Sequence, residues 1–96
     1  MNIGKAIREL RKQQKLSQEQ LAVKAEITQA ALSAIENGVR PNPETLKNLS
    51  TALSVSEALI YVMGMEKSDV ADSKQGLYDE LFPVIQTLVT KLAVPR

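Results

Sequence analysis

The sequence predicts an all-α protein, with five short helices in one small domain followed by a C-terminal amphipathic helix. Apolar residues recur at steps of three and four along nearly the whole chain, and no stretch alternates polar and apolar residues as a strand would. Polar capping residues precede the helical segments. Only three of the 96 residues are aromatic, so we expect an aliphatic core.

Each of the first five helices is predicted from its cap and its apolar positions. They run from about residue 3 to 14, 18 to 25, 29 to 36, 43 to 53 and 57 to 64, the last four after the caps Ser17, Thr28, Asn42 and Ser56. Their inward positions are Ile3, Ile7, Leu10, Leu21, Ala22, Ala25, Leu32, Ile35, Leu46, Leu49, Leu53, Leu59, Ile60 and Met63. Helices this short are not stable alone, so they must pack together in one domain, residues 1–64.

The composition changes after residue 64. Residues 65–76 are polar with no sustained apolar period, which indicates a linker. In residues 77–96, apolar side chains then recur at helical spacing as far as residue 93 and form too wide a stripe for a helix in water. Pro83 is expected either in the first turn of this helix or at a kink.

The residue inventory excludes several classes of function. The chain has no cysteine and no histidine, so it lacks thiolate and imidazole metal ligands and the commonest general base. No glycine-rich phosphate loop is present. We therefore expect no metal, no cofactor and no enzymatic activity. No apolar run approaches membrane-spanning length and no signal peptide is legible, so a cytoplasmic protein without membrane contact is expected.

The net charge of +1 conceals an asymmetry between the two ends of the chain. Residues 1–16 carry five basic residues against one acidic residue, a formal charge of +4. Residues 65–96 carry four basic and five acidic residues, a formal charge of −1. The basic end is suited to an anionic partner, although a solvated helix face explains the lysines equally well.

Residues 17–38, SQEQLAVKAEITQAALSAIENG, contain two capped helices joined by a three-residue turn, which is a helix-turn-helix unit. The runs IRELRKQQKLSQEQLAVKAEITQAALSAIENG and PETLKNLSTALSV resemble the lambda-repressor-like family of DNA-binding domains, the Xre class that includes phage repressors and Cro. The resemblance covers residues 3–64. It implies a five-helix domain that binds double-stranded DNA.

The third helix has the composition of a helix that enters the major groove. Its small outward residues permit close approach of DNA, and its N-terminal residues reach base edges. Gln29 can donate to and accept from the N6 and N7 edge of adenine, and Ala30 can contact a thymine methyl. We expect Ser33 and Ala34 to contribute a hydrogen bond and an apolar contact. The alternative for Gln29 is that it only decorates an exposed helix end.

The resemblance implies roles for three further side chains. Residues matching Gln18 and Gln29 lie side by side in the family, where the first binds a phosphate and steadies the second. The alternative is that Gln18 is an ordinary first residue of its helix. Arg11 and Glu36 match an ion pair that joins the first helix to the end of the third. We expect that pair to be architectural, with little net stabilisation.

Phosphate contacts are expected mainly in the loop after the third helix, where the family grips the DNA backbone. The candidates are Asn37, the Gly38 amide and Arg40, with Lys12 and Lys15 as weaker ones. Lys5, Arg8 and Lys47 fit a solvated surface equally well. Glu26 departs from the family, which often has glycine there; a left-handed Glu26 would cost roughly 1 kcal/mol.

The apolar stripe of the last helix needs a cover. We favour pairing with the same helix of a second copy, since a symmetric dimer reads a palindrome with two recognition helices. Docking on its own domain and binding a different protein are the alternatives. The predicted dimerisation residues are Tyr78, Leu81, Phe82, Ile85, Leu88 and Leu92.

The sequence thus predicts a sequence-specific regulator of transcription that binds double-stranded DNA. The favoured form is a repressor that binds a palindromic operator as a homodimer. The alternative is a protein-interaction adaptor or antitoxin-like partner that uses the C-terminal helix.

Overall fold

The computed structural model describes residues 1–93, without the side chains of residues 89, 90, 92 and 93. Within that range six α-helices follow one another: α1 (Ile3–Gln13), α2 (Gln18–Lys24), α3 (Gln29–Glu36), α4 (Pro43–Ala52), α5 (Glu57–Gly64) and α6 (Gln75–Ala93). Two 3₁₀ turns, Lys67–Asp69 and Asp72–Lys74, lie between α5 and α6. The described residues form no strand, so the prediction of an all-α fold with a C-terminal helix is confirmed.

Helices α1 to α5 all begin at a side-chain cap. The four predicted caps, each accepting a hydrogen bond from the backbone N–H three residues further on, are Ser17, Thr28, Asn42 and Ser56. Asn2 caps α1 in the same way. Ser17 and Gln20 form a capping box. The side chain of Ser17 accepts from the N–H of Gln20, and the N–H of Ser17 donates to Oε1 of Gln20 at 2.8 Å. Because each cap satisfies an otherwise unpaired backbone donor, each stabilises its helix by about 0.5–2 kcal/mol.

Helices α1 to α4 all end in one backbone motif with a left-handed residue. These residues are Lys15 (φ 57°), Glu26 (φ 59°), Gly38 (φ 116°) and Ser54 (φ 56°). At the end of α2, the N–H of Glu26 donates back to Val23 and that of Ile27 to Ala22, which satisfies two free carbonyls. The left-handed conformation considered for Glu26 is therefore present. A side chain in this conformation costs about 1–2 kcal/mol.

The core is aliphatic and lies between the first five helices. All of the predicted inward positions are buried except Leu59, which is half-buried at the edge of the core. The largest fully buried side chains are Ile7, Leu10, Leu21, Leu32, Leu49, Leu53 and Ile60. Burying a leucine or isoleucine contributes about 1.5–3 kcal/mol, so these side chains are the main source of stability.

Helices α1 and α3 approach so closely that their contact requires a glycine. A Cβ atom placed on Gly4 would lie only 2.0 Å from the carbonyl oxygen of Ile35, and 3.2 Å from Cα of Glu36. The obstacle is backbone, which cannot rotate away as a side chain can. Gly4 therefore lets the last turn of α3 rest on the first turn of α1.

The polar segment between α5 and α6 folds back along the N-terminus. The α-amino group of Met1 lies 2.9 Å from Oε1 of Glu66 and 2.7 Å from Oδ2 of Asp69. Lys67 pairs with Asp79 of α6 at 2.8 Å. These charges are half-exposed or exposed, so they hold the direction of the segment more than they stabilise the fold.

One face of α6 packs against α5. Phe82 is 8% exposed there, and its ring stacks on that of Tyr78 with 4.6 Å between centroids. The hydroxyl of half-buried Tyr78 donates to the carbonyl of Met65 at 3.2 Å. Among the residues expected at a dimer contact, these two thus pack within their own chain. This face of α6 therefore docks on its own domain, which was one of the alternatives to pairing.

A second face of α6 is open and apolar. We call it the apolar stripe, and its members are Leu77, Leu81, Val84, Ile85 and Leu88. Of the other expected dimerisation residues, Leu92 has a side chain outside the described part of the chain. Beside the stripe runs an apolar groove of about 320 Å³, whose lining includes Met65 and Val70. Separate faces of one helix therefore meet the domain and the solvent.

Pro83 lies inside α6, well past its first turn, because the helix begins at Gln75. The expected first-turn placement is therefore wrong. A proline at this position donates no N–H to the preceding turn.

Among the described helices, none is both long and apolar enough to cross a membrane.

The contact between α1 and α3 makes a test of the fold. We expect Gly4→Ala to destabilise the protein by about 2–3 kcal/mol, because the added methyl group forces two backbones apart. Gly76→Ala is the matched control, since a Cβ there meets nothing within 4 Å and alanine favours the helix by up to about 1 kcal/mol. Urea denaturation followed by circular dichroism measures both. Equal midpoints for the two variants would contradict the close approach.

Candidate nucleic-acid interface

Helix α3 presents a surface of small side chains with one large polar group at its N-terminal end. Gln29 and Ala30 are exposed, whereas Ser33 and Ala34 are half-buried. Ala31, which the sequence analysis did not single out, is also exposed. The opposite side of the helix buries Leu32 and Ile35 in the core. Base edges could therefore approach the first turn of α3 without steric obstruction.

The C-terminal end of α3 is anchored by the carboxylate of Glu36, whose side chain is 0% exposed. Oε2 lies 2.8 Å from Nε of Arg11, and Oε1 accepts from Nη2 of the same guanidinium at 2.9 Å. This two-point pair is the ion pair that the family resemblance implied. Arg11 also donates to the carbonyl of Leu16 at 2.9 Å, which ties the Glu36 carboxylate to the segment between α1 and α2.

Arg8 is a second cation at this carboxylate. Its Nε lies 3.4 Å from Oε1 of Glu36, and its Nη2 donates to the Glu36 carbonyl at 3.1 Å and to Oδ1 of Asn37 at 3.2 Å. From the sequence, Arg8 fits a solvated surface position as well as a contact. A signal was available, because Arg8 precedes Arg11 by three residues and therefore lies on the same face of α1.

Gln18 is the third donor to the carboxylate. Its Nε2 lies 3.2 Å from Oε1 of Glu36, which links the start of α2 to the end of α3. Within the described residues, no hydrogen bond joins Gln18 to Gln29. The structure thus brings Gln18 together with Arg8, Arg11 and Glu36. We call these four residues the Glu36 cluster.

The cluster keeps the Glu36 carboxyl charged. Burial acts to raise its pKa, but the hydrogen bonds from Arg11 and Gln18, the charge of Arg11 and the hydrogen bond from Arg8 together outweigh it. The net result is a pKa below the usual value of 4.5. A buried charge without such partners would be strongly unfavourable, so the carboxylate and its donors form one unit.

Apart from Gln18, the residues expected to contact phosphates are all exposed and lie in the loop after α3 and near the end of α1. Asn37, Gly38 and Arg40 are exposed in the loop, and Lys12 and Lys15 are exposed at the end of α1. The Gly38 N–H donates to the carbonyl of Ile35 at 3.0 Å and closes the end of the helix, which the left-handed backbone of Gly38 allows. The phosphate contact of this N–H stays a prediction.

Within the described residues, no group of three or more His, Cys, Asp or Glu side chains could hold a metal ion. The charged groups close to α3 in the chain are the buried carboxylate of Glu36, which is paired with arginines, the exposed carboxylate of Glu26 in the turn before the helix and the exposed Arg40 in the loop after it. Of these, Arg40 is the exposed cation available to an anionic partner.

The sequence is similar to known helix-turn-helix proteins. The model of the helix-turn-helix family matches residues 7–60, which span helices α1 to α5. The chain is 37% identical over 94 residues to the uncharacterised HTH-type transcriptional regulator RghRB of Bacillus subtilis (strain 168), covering 92% of this chain and 67% of that protein. It is 41% identical over 66 residues to the HTH-type transcriptional repressor RghR of the same organism, covering 66% of this chain and 49% of that protein. No solved structure is significantly similar.

The Glu36 cluster predicts how stability depends on pH. Because the pKa of Glu36 is lowered in the fold, its pairing stabilises the protein above about pH 4.5 and is lost as the pH falls through the folded pKa. We expect Glu36→Gln to destabilise the protein by about 3–5 kcal/mol at pH 7, since two arginines lose their charge partner. Glu36→Gln should also remove part of the decline below pH 4.5.

Urea titrations between pH 2.5 and pH 7 measure this dependence. Glu80→Gln is the control, because Glu80 is exposed on α6 and makes none of the contacts described above. The control should follow the wild-type curve. A Glu36→Gln curve parallel to that of the wild type would show that the cluster does not contribute to acid stability.

Proposed function

The chain belongs to the helix-turn-helix family of DNA-binding transcription regulators, and we propose that it is a repressor that binds a palindromic operator as a dimer. The observation that carries this proposal is that α3 exposes its first turn while the Glu36 cluster holds its C-terminal end. A recognition helix needs both properties, because small outward residues admit the DNA and a fixed axis keeps its side chains in register with the bases.

Base reading is assigned to the exposed end of α3. Gln29 would donate and accept at the N6 and N7 edge of adenine, which is worth about 1–3 kcal/mol of discrimination. Ala30 would contact a thymine methyl. Ser33 and Ala34 are half-buried and would contact the groove only where DNA approaches most closely. With so few polar groups, part of the specificity would come from DNA shape.

Phosphate binding is assigned to side chains on both sides of α3. The proposed contacts are Gln18, Asn37, Arg40, Lys12 and Lys15. The amide of Gln18 has a second N–H besides the one it gives to Glu36, so it need not leave the cluster to reach a phosphate. Each cation that neutralises a phosphate would steepen the salt dependence by about 0.9 in log–log slope.

Dimerisation is assigned to the apolar stripe of α6. Five large apolar side chains on one face of a helix are unusual without a cover, and the groove along Met65 and Val70 extends that surface. A second copy would bury this face symmetrically and set two recognition helices for two half-sites. A different protein at the stripe is the alternative, in which the chain is an adaptor or an antitoxin-like partner.

Repression, as opposed to activation, is supported by the relative RghR, which is named as a repressor. The match covers 49% of that protein's length.

Selection from random duplex DNA tests the reading of an operator. We expect the purified protein to enrich a palindrome whose half-sites lie about one helical turn apart. Gln29→Ala should lose selectivity at the base that Gln29 reads and leave binding to mixed-sequence DNA intact, because that residue is proposed to contact bases only. An enriched single half-site would contradict the dimer on DNA. No enrichment would favour the adaptor alternative.

Sedimentation velocity tests the assignment of the stripe. We expect Leu81→Asp to convert a dimer to a monomer, since a charge at the centre of the stripe would have to be desolvated. Thr87→Asp is the control for a charge on the same helix outside the stripe. Deleting residues 77–96 should also give a monomer, but it removes Phe82, which covers α5. A Leu81→Asp protein that stays dimeric would contradict the assignment.

A further inference from the structure

We propose that Arg8 is a positioning residue for DNA binding, which fixes the side-chain amide of Asn37 so that its N–H₂ group faces a phosphate. The proposal rests on the proposed function, in which Asn37 contacts the DNA backbone. It gives a role to the one arginine of α1 that the sequence left undecided.

Arg8 is held at three points next to the end of α3. Its Nε faces Oε1 of Glu36 at 3.4 Å, and its Nη2 donates to the Glu36 carbonyl at 3.1 Å and to Oδ1 of Asn37 at 3.2 Å. The carboxylate it faces is buried, while the Arg8 side chain is 39% exposed. The guanidinium is therefore a bridge from a fixed buried charge to an exposed amide.

The chemistry of the two groups decides which way the amide points. A guanidinium has five donors and no acceptor, so the atom of Asn37 that faces it must be the oxygen. The amide is planar, and its nitrogen consequently lies on the side away from Arg8. Asn37 is exposed, so this nitrogen presents both hydrogens to solvent. A phosphate oxygen accepts hydrogen bonds only, and this is the orientation that it requires.

A second consequence concerns the helix itself. Nη2 of Arg8 also satisfies the Glu36 carbonyl, one of the free carbonyls at the end of α3. The same nitrogen thus fixes the backbone that carries Asn37 and the oxygen of its side chain. Losing Arg8 would free the amide to rotate, and a rotated amide would present its oxygen to the phosphate for part of the time.

The experiment measures the Kd for a 30-base-pair mixed-sequence duplex by fluorescence anisotropy at several salt concentrations. Mixed sequence suffices because phosphate contacts do not depend on the bases. The variants are Arg8→Gln, Asn37→Ala and their combination. Lys5→Gln is the control, because it removes one positive charge from an exposed position of the same helix. Thermal unfolding of each variant reports whether it folds.

We expect Arg8→Gln and Asn37→Ala each to weaken binding roughly tenfold, as loss of one hydrogen bond to a charged group does. The double variant should be no weaker than the weaker single one, since both remove the same contact. The salt slope of Arg8→Gln should match that of Lys5→Gln. Multiplying losses, or a slope lower by a further ~0.9, would mean that Arg8 binds a phosphate itself and would overturn the proposal. A loss no larger than that of Lys5→Gln would also overturn it.

Asn37→Asp tests the orientation without removing the partner of Arg8. One carboxylate oxygen would keep the contact with Arg8. The other oxygen would replace the N–H₂ group and repel the phosphate, so the DNA affinity should fall further than in Asn37→Ala. Thermal unfolding reports whether this variant, whose new negative charge lies at the C-terminal end of α3, folds as the wild type does. An Asn37→Asp protein that binds as well as the wild type would overturn the proposal. This test holds even if Arg8→Gln does not fold.

The wild-type measurement separates this inference from the proposed function. Failure of the wild type to bind the duplex at low salt would overturn DNA binding and the role of Arg8 with it. Salt-dependent binding by the wild type, with Arg8→Gln equal to the Lys5→Gln control, would leave the proposed function standing and overturn only the role of Arg8.

Discussion

The buried carboxylate of Glu36 is the point at which the first three helices meet. It ends α3, and it pairs with Arg8 and Arg11 of α1 and with Gln18 of α2. Removing one partner of such a pair costs about 3–5 kcal/mol, while its net contribution relative to apolar residues is often close to zero. The three donors come from two other helices, so the carboxylate couples the end of α3 to α1 and α2 and favours one orientation of the α3 axis.

The constraint acts at one end of α3 and leaves the other end free. Gly4 lets the last turn of α3 rest directly on α1, and Leu32 and Ile35 hold the inner face in the core. At its N-terminal end, α3 starts at the Thr28 cap. The helix therefore has one end fixed among buried charges and another end that exposes small side chains and the neutral amide of Gln29. Such an arrangement separates the residues that set position from those that meet a ligand.

The helices could be predicted from the sequence because caps and apolar spacing are local properties. The bounds of α3 were predicted to the residue, and the predicted ends of α1, α2 and α4 each extend one residue further than observed, since they include the C-cap. The ion pair of Arg11 with Glu36 was available only through the family resemblance. Arg8 was undecided because spacing places a side chain on a face but does not say what lies opposite it.

The division of the apolar surface of α6 depends on tertiary contacts that periodicity does not encode. Phe82 and Ile85 belong to one wide apolar surface in the sequence, yet Phe82 is buried and Ile85 is exposed. A stripe wider than one contact can be divided between two neighbours, and only the fold shows where the division falls.

The contacts of the polar segment and of α6 bear on how the protein would choose among operators. The Tyr78 hydroxyl donates to the Met65 carbonyl, and Phe82 is buried. Helix α6 is therefore fixed to its own domain by side-chain contacts as well as by the connecting segment. In a dimer joined through the apolar stripe, the separation and the relative rotation of the two α3 helices would then be set by helix packing. A tethered pair would tolerate half-sites at several distances. A pair held rigidly by helix packing would accept one spacing. A single inserted base pair shifts one half-site by about 3.4 Å and turns it by roughly 36°. Such an insertion would weaken binding although the bases of both half-sites are unchanged.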